Sequence, residues 1–331
     1  MTLSVALCTH NGERFIGQQL QSILSQTQPP FEIIVSDDAS TDSTLNVVEK
    51  TLAAFQLRTG RTVPVRLLQN DKPLGVTKNF EQAVKACAGD LIALSDQDDV
   101  WLPDRLERAQ LAFAARPKLL LLHADARLID EDGNQLPNSL LEALEVSESD
   151  IALIRAGKAF DVLMRRNVVT GATVVLRRAL LDIAAPFPTS WVHDEWLAIM
   201  AASIGDLDVD LLPVVEYRQH GLNQIGVEKL STRRKFARLM EPGAERNRRL
   251  LARASDLAQR LEDMNGTVLP TRLTAAREKV HHERVRSSLG PARGRRISAV
   301  LRELQTGRYS AYGRGLADAV RDLLQPLRPA R

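Results

Sequence analysis

Apolar and polar positions in the first third of the chain alternate between the period of β-strands and that of α-helices. Short apolar runs bounded by turn residues predict strands at Leu3–Thr9, Phe31–Ser36, Val63–Leu68 and Leu91–Ser95. Apolar residues at helical spacing between these runs predict helices at Glu13–Ser25, Ser43–Leu57 and Thr77–Ala88. Strands that alternate with helices in this way predict an α/β fold with a parallel sheet.

Polar side chains follow three of these predicted strands. They are Thr9-His10-Asn11, Ser36-Asp37-Asp38 and Ser95-Asp96-Gln97-Asp98. Ligands of open α/β sheets bind beyond the carboxyl ends of the strands, so we expect the three segments to form one site.

The most acidic of these segments is Asp96-Gln97-Asp98-Asp99. Adjacent carboxylates repel one another, and a cation or hydrogen-bond donors must compensate their charge beside a buried strand. A set of ligands made only of oxygen atoms favours Mg²⁺ or Mn²⁺ over zinc. The alternative is a solvated acidic turn that caps a helix beginning near Asp104.

The composition is that of an ordinary globular protein. Of 331 residues, 44% are hydrophobic and 26% charged, which predicts one large domain with an appendage, or two domains. The first strand begins so close to Met1 that we expect no signal peptide, and no apolar stretch reaches the ~20 residues of a membrane span. Cys8 and Cys87 are expected to be small buried residues in a reducing cytoplasm, without a disulfide or a metal.

The charge is unevenly distributed along the chain. Residues 231–331 hold 23 Lys+Arg and 10 Asp+Glu, a net charge of +13, whereas residues 1–230 hold 21 and 31, a net charge of −10. Beyond Gly226 the strand pattern ends, and an apolar stripe with helical spacing runs from Leu250 to Met264. The basic tail favours an anionic membrane surface as its partner; solvated helix faces and nucleic acid are the alternatives, although no nucleic-acid-binding motif accompanies the charge.

Two common nucleotide-binding motifs are missing. The first strand is not followed by G-x-G-x-x-G, and G-x-x-x-x-G-K-[ST] occurs nowhere in the chain. A dinucleotide-binding dehydrogenase and a P-loop NTPase therefore lose their main support.

Six segments carry a resemblance to a known family. They are C-T-H-N-G-E-R-F-I at 8–16, E-I-I-V-S-D-D-A-S-T-D-S-T at 32–44, G-D-L-I-A-L-S-D-Q-D-D-V-W-L-P-D-R-L at 89–106, T-G-A-T at 170–173, W-V-H-D-E-W-L-A at 191–198 and Y-R-Q-H-G-L-N-Q-I-G at 217–226. The first three resemble the nucleotide-sugar half of family 2 glycosyltransferases, and the last three resemble its bacterial rhamnosyltransferase-like branch.

The resemblance implies a GT-A fold, with helices around one mixed, mostly parallel sheet. We expect a glycosyltransferase domain at residues 1–226, divided into a nucleotide-sugar half at 1–115 and an acceptor half at 116–226. A basic helical extension would follow at 227–331.

The resemblance also implies roles for residues of the first half. Asp98 would ligate the divalent metal, and Asp96 would face the ribose and the outer shell of the metal. Asp38 would hydrogen-bond the pyrimidine ring. Thr9, Asn11 and Glu13 would line the base and ribose, for which ordinary turn and helix-capping work is the alternative.

The second half would supply the catalytic base. Asp194 is the candidate, because it lies at the start of a predicted helix whose dipole favours the ionised carboxylate. Its alternative is an N-cap, and Glu195, about 100° further around the helix, is the second candidate for the base.

Three further residues have two interpretations each. His220 either contacts the diphosphate or metal, together with the cation of Arg218, or faces solvent near a strand end. Gly171 either lets the backbone approach a ligand or marks a bulge, and the family often has cysteine where Ala172 stands. Arg105 could pair with phosphate, but it is expected to be exposed in the first turn of its helix.

The sequence thus predicts an inverting, metal-dependent glycosyltransferase of the cytoplasmic face of the membrane. The donor would be a dTDP- or UDP-sugar, such as dTDP-rhamnose, and the acceptor a surface-polysaccharide or lipid-linked glycan. The alternatives are a catalytically silent nucleotide-sugar-binding or scaffold protein and a sugar nucleotidyltransferase, although the latter would need a Gly-rich phosphate loop that the chain lacks.

Overall fold

The computed structural model describes residues 1–220, 243–264, 266–290 and 292–326. These residues group into two compact units. Unit 1 contains residues 1–157 and 169–220, and unit 2 contains residues 158–168 and 243–326. The predicted domain boundary at 226 and 227 lies outside the described residues.

Unit 1 contains the strands and the helices that flank them. Its strands are β1 Leu3–Thr9, β2 Glu32–Asp37, β3 Val65–Gln69, β4 Leu91–Ser95, β5 Val100–Trp101, β6 Leu119–Ile129, β7 Gln135–Ser139, β8 Val175–Arg177 and β9 Asp206–Arg218. Its helices are α1 Ile16–Leu24, α2 Thr44–Thr59, α3 Val76–Ala86, α4 Arg105–Ala115, α5 Leu140–Ala143, α6 Glu148–Leu153, α8 Leu181–Ala184 and α9 His193–Ile204.

The strands form one mixed sheet in the order β3-β2-β1-β4-β8-β6-β9-β5, and β7 pairs with β6. Strands β1 to β4 run parallel to one another, as do β6 and β9, whereas β5, β7 and β8 are antiparallel to their neighbours. The predicted α/β class and the mixed, mostly parallel sheet are confirmed. The four strands predicted from the sequence lie within two residues of their expected limits.

Burial on both faces of the sheet explains why β1 and β4 are continuous apolar runs in the sequence. All seven residues of β1 and all five of β4 are buried, because helices cover both faces of this part of the sheet. Helix α1 buries Ile16, Leu20 and Ile23 at helical spacing against it.

The far edge of the sheet positions the acidic segment. Strand β5 pairs antiparallel with the end of β9, where Val100 lies opposite Glu216. Residues 96–99 lie between β4 and β5, so this pairing holds them beside the last residues of β9. Two parts of the sequence about 120 residues apart therefore meet at one end of the sheet.

Unit 2 is made of helices. They are α7 Ala159–Arg165, α10 Gly243–Asp263, α11 Pro270–Ser287, α12 Arg293–Gln305, α13 Arg308–Tyr312 and α14 Leu316–Leu324. The predicted apolar stripe is confirmed, since Ala254, Leu257 and Leu261 of α10 are buried. No helix in the described ranges is long and apolar enough to cross a membrane.

Candidate active site

The ends of β1 and β2 are joined by a buried carboxylate. Asp37 accepts hydrogen bonds from the hydroxyls of Thr9 at 2.7 Å and Ser40 at 2.5 Å. Thr9 and Asp37 are both buried, so the Thr9 hydroxyl serves this internal contact. Thr9 supports the wall of the site.

The loop after β1 is tied to the loop after β2 by two exposed side chains. Asn11, with a left-handed φ of 47°, accepts the backbone N–H of Thr41 at 2.8 Å through Oδ1. Glu13 accepts the backbone N–H of Ser43 at 2.8 Å through Oε2. Both side chains therefore stabilise turns at the edge of the site, which was the alternative role given for them.

Asp38 organises the loop that precedes α3. Its Oδ1 accepts the backbone N–H of Leu74 at 2.6 Å and the amide of Asn70 at 3.1 Å, and its Oδ2 accepts the N–H of Gly75 at 2.9 Å. A carboxylate has about four acceptor positions, so these three bonds leave it capacity for one further donor.

Gln97, which sequence reasoning left without a role, joins the acidic segment after β4 to the loop after β1. Its side chain accepts the N–H of His10 at 2.8 Å and donates to the His10 carbonyl at 3.0 Å. A Cβ at Gly12 would lie 2.2 Å from the Gln97 amide oxygen, so a larger residue there would displace the Gln97 side chain from its contacts with His10. The Asn11-Gly12 pair was a turn signal in the sequence, but only the fold shows what the glycine faces.

Asp98 and His220 form a pair at the edge of the sheet. The Nε2 atom of His220 lies 2.8 Å from Oδ2 of Asp98, and the imidazole stacks on Phe15 with ring centroids 5.0 Å apart. The side chain of His220 is largely covered, so the alternative of a solvent-facing histidine is wrong. The two residues present a carboxylate and an imidazole side by side.

Arg218 clamps the backbone around this pair. Its Nε donates to the carbonyl of Asp98 at 2.9 Å, its Nη2 donates to Gln18 at 2.8 Å, and its backbone N–H donates to Asp99 at 3.0 Å. The guanidinium is buried and lies over the ring of Phe15. The expectation that this cation reaches a bound diphosphate is not supported, because its donors serve the protein.

The expectation for Arg105 is wrong. The side chain is buried, stacks 3.7 Å from the ring centre of Trp101 and donates from Nη2 to the carbonyl of Leu94 at 3.1 Å. Its charge attracts those of Asp99 and Asp96. Arg105 thus provides an internal positive charge beneath the acidic segment, where the sequence predicted a solvated one.

The carboxylates of the site disfavour one another's ionisation. Desolvation, followed by the charges of Asp98 and Asp194, raises the pKa of Asp96 to about 7. Desolvation, followed by the charges of Asp98 and Asp96, also raises the pKa of Asp99. Asp194 is thus close enough to Asp96 for their charges to interact. The candidate base of the second half of unit 1 therefore lies near the acidic segment of the first half.

Backbone donors fix the carboxylate of Asp194. Its Oδ2 accepts the N–H of Gly171 at 2.8 Å, and its Oδ1 accepts the N–H of Glu195 at 2.7 Å. Helix α9 begins at His193 with Val192 as its N-cap, so the proposed N-cap role of Asp194 is wrong and the residue lies in the first turn.

Gly171 packs directly against this helix start. A Cβ there would lie 3.4 Å from Oδ2 of Asp194 and 3.0 Å from Nε2 of His193. Gly171 and Ala172 belong to a short 3-10 turn at Gly171–Thr173, and both are buried. The glycine therefore permits a close approach to the candidate base, rather than a bulge in a strand.

His193 makes the stability of unit 1 sensitive to acid. Its ring stacks 3.8 Å from that of Phe80, and burial lowers its pKa to about 3; burial likewise lowers the pKa of His123 to about 4. An unfolded chain protonates both rings below pH 6.5, whereas the folded chain keeps them neutral. Their contribution is therefore complete above pH 6.5 and is lost as the pH falls towards these lower values.

We expect the free energy of unfolding of unit 1 to fall by about 1.4 kcal/mol per pH unit for each of these histidines between pH 6 and 4. Urea titrations followed by tryptophan fluorescence report unit 1, since it holds all three tryptophans. His193→Leu should reduce the slope by one such increment, and His281→Gln, at a half-exposed histidine of unit 2, should not. An unchanged slope in His193→Leu would show that this ring titrates normally.

The carboxylates and the imidazole near Asp98 could hold a divalent cation with few protein ligands. Within the part of the chain that the structure describes, no three His, Cys, Asp or Glu side chains form a ready metal site. Mg²⁺ sites commonly use one or two protein ligands and complete the shell with water and substrate phosphates. The adjacent Asp98 and His220, with the half-buried and electrostatically strained Asp96, fit such a site.

Comparison with known proteins finds similar sequences and similar folds. Residues 4–163 match the profile of "Glycosyl transferase family 2". The chain is 27% identical over 269 residues to dTDP-rhamnosyl transferase RfbG of Shigella flexneri, covering 78% of this chain and 85% of that protein. It is 25% identical to UDP-Glc:alpha-D-GlcNAc-diphosphoundecaprenol beta-1,3-glucosyltransferase WfgD of Escherichia coli, covering 60% and 69%.

A similar fold occurs in TarS 1-349 of S. aureus, solved in complex with UDP-GlcNAc. The likeness has a TM-score of 0.56 at 19% identity and covers 98% of this chain and 82% of that one. It shows the GT-A type of fold, with helices following the sheet domain. Residues 4–163 thus match glycosyltransferase family 2, and the chain as a whole is similar in sequence to nucleotide-sugar glycosyltransferases and has the GT-A type of fold.

Proposed function

We propose that the protein is an inverting, divalent-metal-dependent glycosyltransferase that acts on a surface-polysaccharide or lipid-linked glycan. One observation carries the proposal. Asp96 and Asp98, which follow β4, share one electrostatic environment with Asp194 at the start of α9, and Asp98 contacts His220 after β9. These contacts support a single site with an acidic donor end and a carboxylate for the acceptor.

At the donor end, Asp98 is the direct metal ligand of the proposal, with His220 beside it. Asp96 faces the ribose and the outer shell of the metal. A Mg²⁺ or Mn²⁺ ion bound there supplies positive charge that stabilises the departing nucleoside diphosphate. Asp38, with one acceptor position left, is assigned to the base.

Thr9, Asn11 and Glu13 have a smaller role in this proposal than the sequence suggested. Thr9 holds Asp37, and the other two join the loops that surround the base and ribose. They shape this part of the donor site through those contacts.

At the acceptor end, Asp194 takes the proton of the attacking hydroxyl. The hydroxyl oxygen bonds to the anomeric carbon from the face opposite the diphosphate, the bond from that carbon to the diphosphate breaks, and the configuration inverts. The N–H groups of Gly171 and Glu195 fix the carboxylate in one orientation. Such positioning favours proton transfer in the transition state.

The sugar and the acceptor are inferred from named relatives. RfbG is a dTDP-rhamnosyl transferase, and the name of WfgD includes a diphosphoundecaprenol-linked acceptor. We infer rhamnose from dTDP-rhamnose as the donor sugar and a lipid-linked glycan as the acceptor. Such an acceptor would place the enzyme at the cytoplasmic face of the membrane.

A ligand panel tests the proposal. Purified protein with Mn²⁺ is screened against dTDP-rhamnose, UDP-glucose, UDP-GlcNAc and GDP-mannose for thermal shifts and for release of the nucleoside diphosphate. A ligand at ~100 times its dissociation constant adds about 2.7 kcal/mol of stability, so the tightest-binding donor gives the largest thermal shift at a common concentration. We expect that donor to be dTDP-rhamnose.

The outcomes separate the parts of the proposal. A larger shift with a UDP-sugar would replace rhamnose and keep the reaction class. A shift without nucleotide release, with or without a glycan acceptor, would identify a catalytically silent binding protein instead. Turnover that persists in the presence of a chelator would remove the metal from the proposal.

A further inference from the structure

Helix α14 has both of its acidic residues inside and three of its aliphatic residues outside. Asp318 and Asp322 are buried, whereas Leu316, Val320 and Leu324, spaced four residues apart on one side of the helix, are 72%, 45% and 49% exposed. A helix on the surface of a globular protein normally has the opposite arrangement.

The neighbouring helix α12 has the same arrangement. Arg296 and Glu303 are buried on its inner side, and Ile297 and Leu301, also four residues apart, are about half exposed. Helices α12 and α14 pack against each other within unit 2. We call the five exposed residues of the two helices, Ile297, Leu301, Leu316, Val320 and Leu324, the outer aliphatic face.

Buried charged contacts fix the rotation of α14. Asp322 pairs with Arg286 at 2.6 Å and accepts the hydroxyl of Tyr309 at 2.9 Å. Asp318 pairs with Arg246 at 3.2 Å. Turning the aliphatic residues inwards would break these pairs, and separating buried charges from their partners is costly.

Contacts of the same kind fix α12. Arg296 donates from Nη1 to the carbonyls of Asp322 and Gln325 at 3.0 and 2.7 Å, and Glu303 contacts His282 at 2.8 Å. The outward position of the aliphatic residues on both helices is therefore a consequence of how unit 2 folds.

The exposed charged residues of α12 and α14 have one sign. All three acids of α12 and α14, namely Glu303, Asp318 and Asp322, are buried, whereas Arg295 and Arg302 of α12 are exposed. At 100° per residue, Arg295 and Arg302 project from α12 about 100–160° around the helix from Ile297 and Leu301, so one exposed side of the helix is aliphatic and another is basic. A helix with these two exposed sides matches the boundary between acyl chains and anionic head groups. A second copy of the chain on the same face would bring arginines against arginines, which opposes self-association through this face.

We propose that the outer aliphatic face is a docking surface for an anionic phospholipid bilayer. The five aliphatic side chains enter the region below the head groups, and Arg295 and Arg302 contact lipid phosphates. The location of the face rests on the proposed function in one respect, since a lipid-linked acceptor requires the enzyme to work at a membrane. Vesicle binding itself needs no catalysis.

The test measures sedimentation of the full chain with vesicles of phosphatidylglycerol and phosphatidylcholine. We expect binding at low salt that weakens at high salt, because exposed charges are screened. Leu316→Glu with Leu324→Glu should lower the partition coefficient by at least about tenfold, since two apolar anchors are lost. Arg295→Glu with Arg302→Glu should lower binding to the anionic vesicles by about tenfold or more.

The matched control is Leu57→Glu on α2 of unit 1, where a single leucine is 90% exposed. It should bind vesicles like the unaltered chain. All variants change exposed residues, so they should keep the same thermal midpoint and the same release of nucleoside diphosphate in solution.

Each contrary result has a separate meaning. A full chain that ignores anionic vesicles at low salt, or a leucine double variant that binds like Leu57→Glu, overturns the docking surface. A dimer that the leucine double variant dissociates identifies a second copy as the occupant and also overturns it. Vesicle binding without donor turnover would leave the docking surface standing and reject the proposed reaction.

Discussion

Replacing Asp194 with asparagine should lower the turnover number by about two to four powers of ten while donor binding is retained, as expected when a general base is removed. The carboxylate is held by two backbone N–H groups, from Gly171 and Glu195, and its charge acts on that of Asp96. Asparagine keeps the size of the side chain but cannot accept the acceptor's proton. Steady-state kinetics of the variant, with donor binding followed by thermal shift, measure the effect.

The substitution also removes an acceptor. The amide NH₂ of asparagine would face one of the two backbone donors, at an expected cost of about 1–3 kcal/mol in the free energy of unfolding. Tryptophan-monitored urea titration measures this cost separately from activity. Glu195→Gln is the matched control, since it changes the adjacent acid of the same helical turn. Loss of activity in this control, with an active Asp194→Asn, would assign the base to Glu195.

Asp98→Asn should abolish transfer and weaken Mn²⁺-dependent nucleotide binding by more than the ~10–100-fold typical of outer-shell residues around a metal, because a direct ligand is lost. The side chain lies 2.8 Å from the imidazole of His220, and its backbone carbonyl is held by Arg218. The variant keeps the carbonyl contact and the side-chain size, so we expect the fold to persist. Titration calorimetry with the nucleoside diphosphate, with and without Mn²⁺, gives the metal-dependent part of binding.

Asp104→Asn is the control for Asp98→Asn. Asp104 is the half-exposed residue before α4, six positions along the same segment, and its substitution removes the same charge. We expect it to leave metal-dependent binding unchanged. If Asp98→Asn keeps near-normal turnover, its assignment as a metal ligand is wrong.

The local pattern was sufficient to predict the first half of the sheet. In a chain that alternates strands with helices, short continuous apolar runs such as those of β1 and β4 predict strands of a parallel sheet, because both faces of such strands are covered by apolar residues. The role of the acidic segment was also predicted from the local sequence. Polar residues that follow a buried strand of an α/β sheet lie at the end of the sheet where ligands bind. The helix predicted near Asp104 begins at Arg105.

Other features depend on residues far apart in the sequence. Arg105 is buried because Trp101 and the acidic segment surround it in the folded chain, although a first-turn arginine is usually solvated. His220 meets Asp98 across 122 residues of sequence only because β5 pairs with the end of β9. No local pattern carries information about such a pairing.

The C-terminal helices show more clearly that a local sequence pattern does not predict contacts between distant residues. The sequence by itself determined that this region is helical and basic, because apolar spacing and charge are local properties. Only the tertiary structure decided which side of α14 faces inwards, through the pairs made by Arg286 with Asp322 and by Arg246 with Asp318. The side of α12 was decided by the contacts of its Arg296 and Glu303 with neighbouring helices. Burial of charge depends on partners from other helices, so hydrophobic periodicity alone would not have placed the acidic residues of both helices inside.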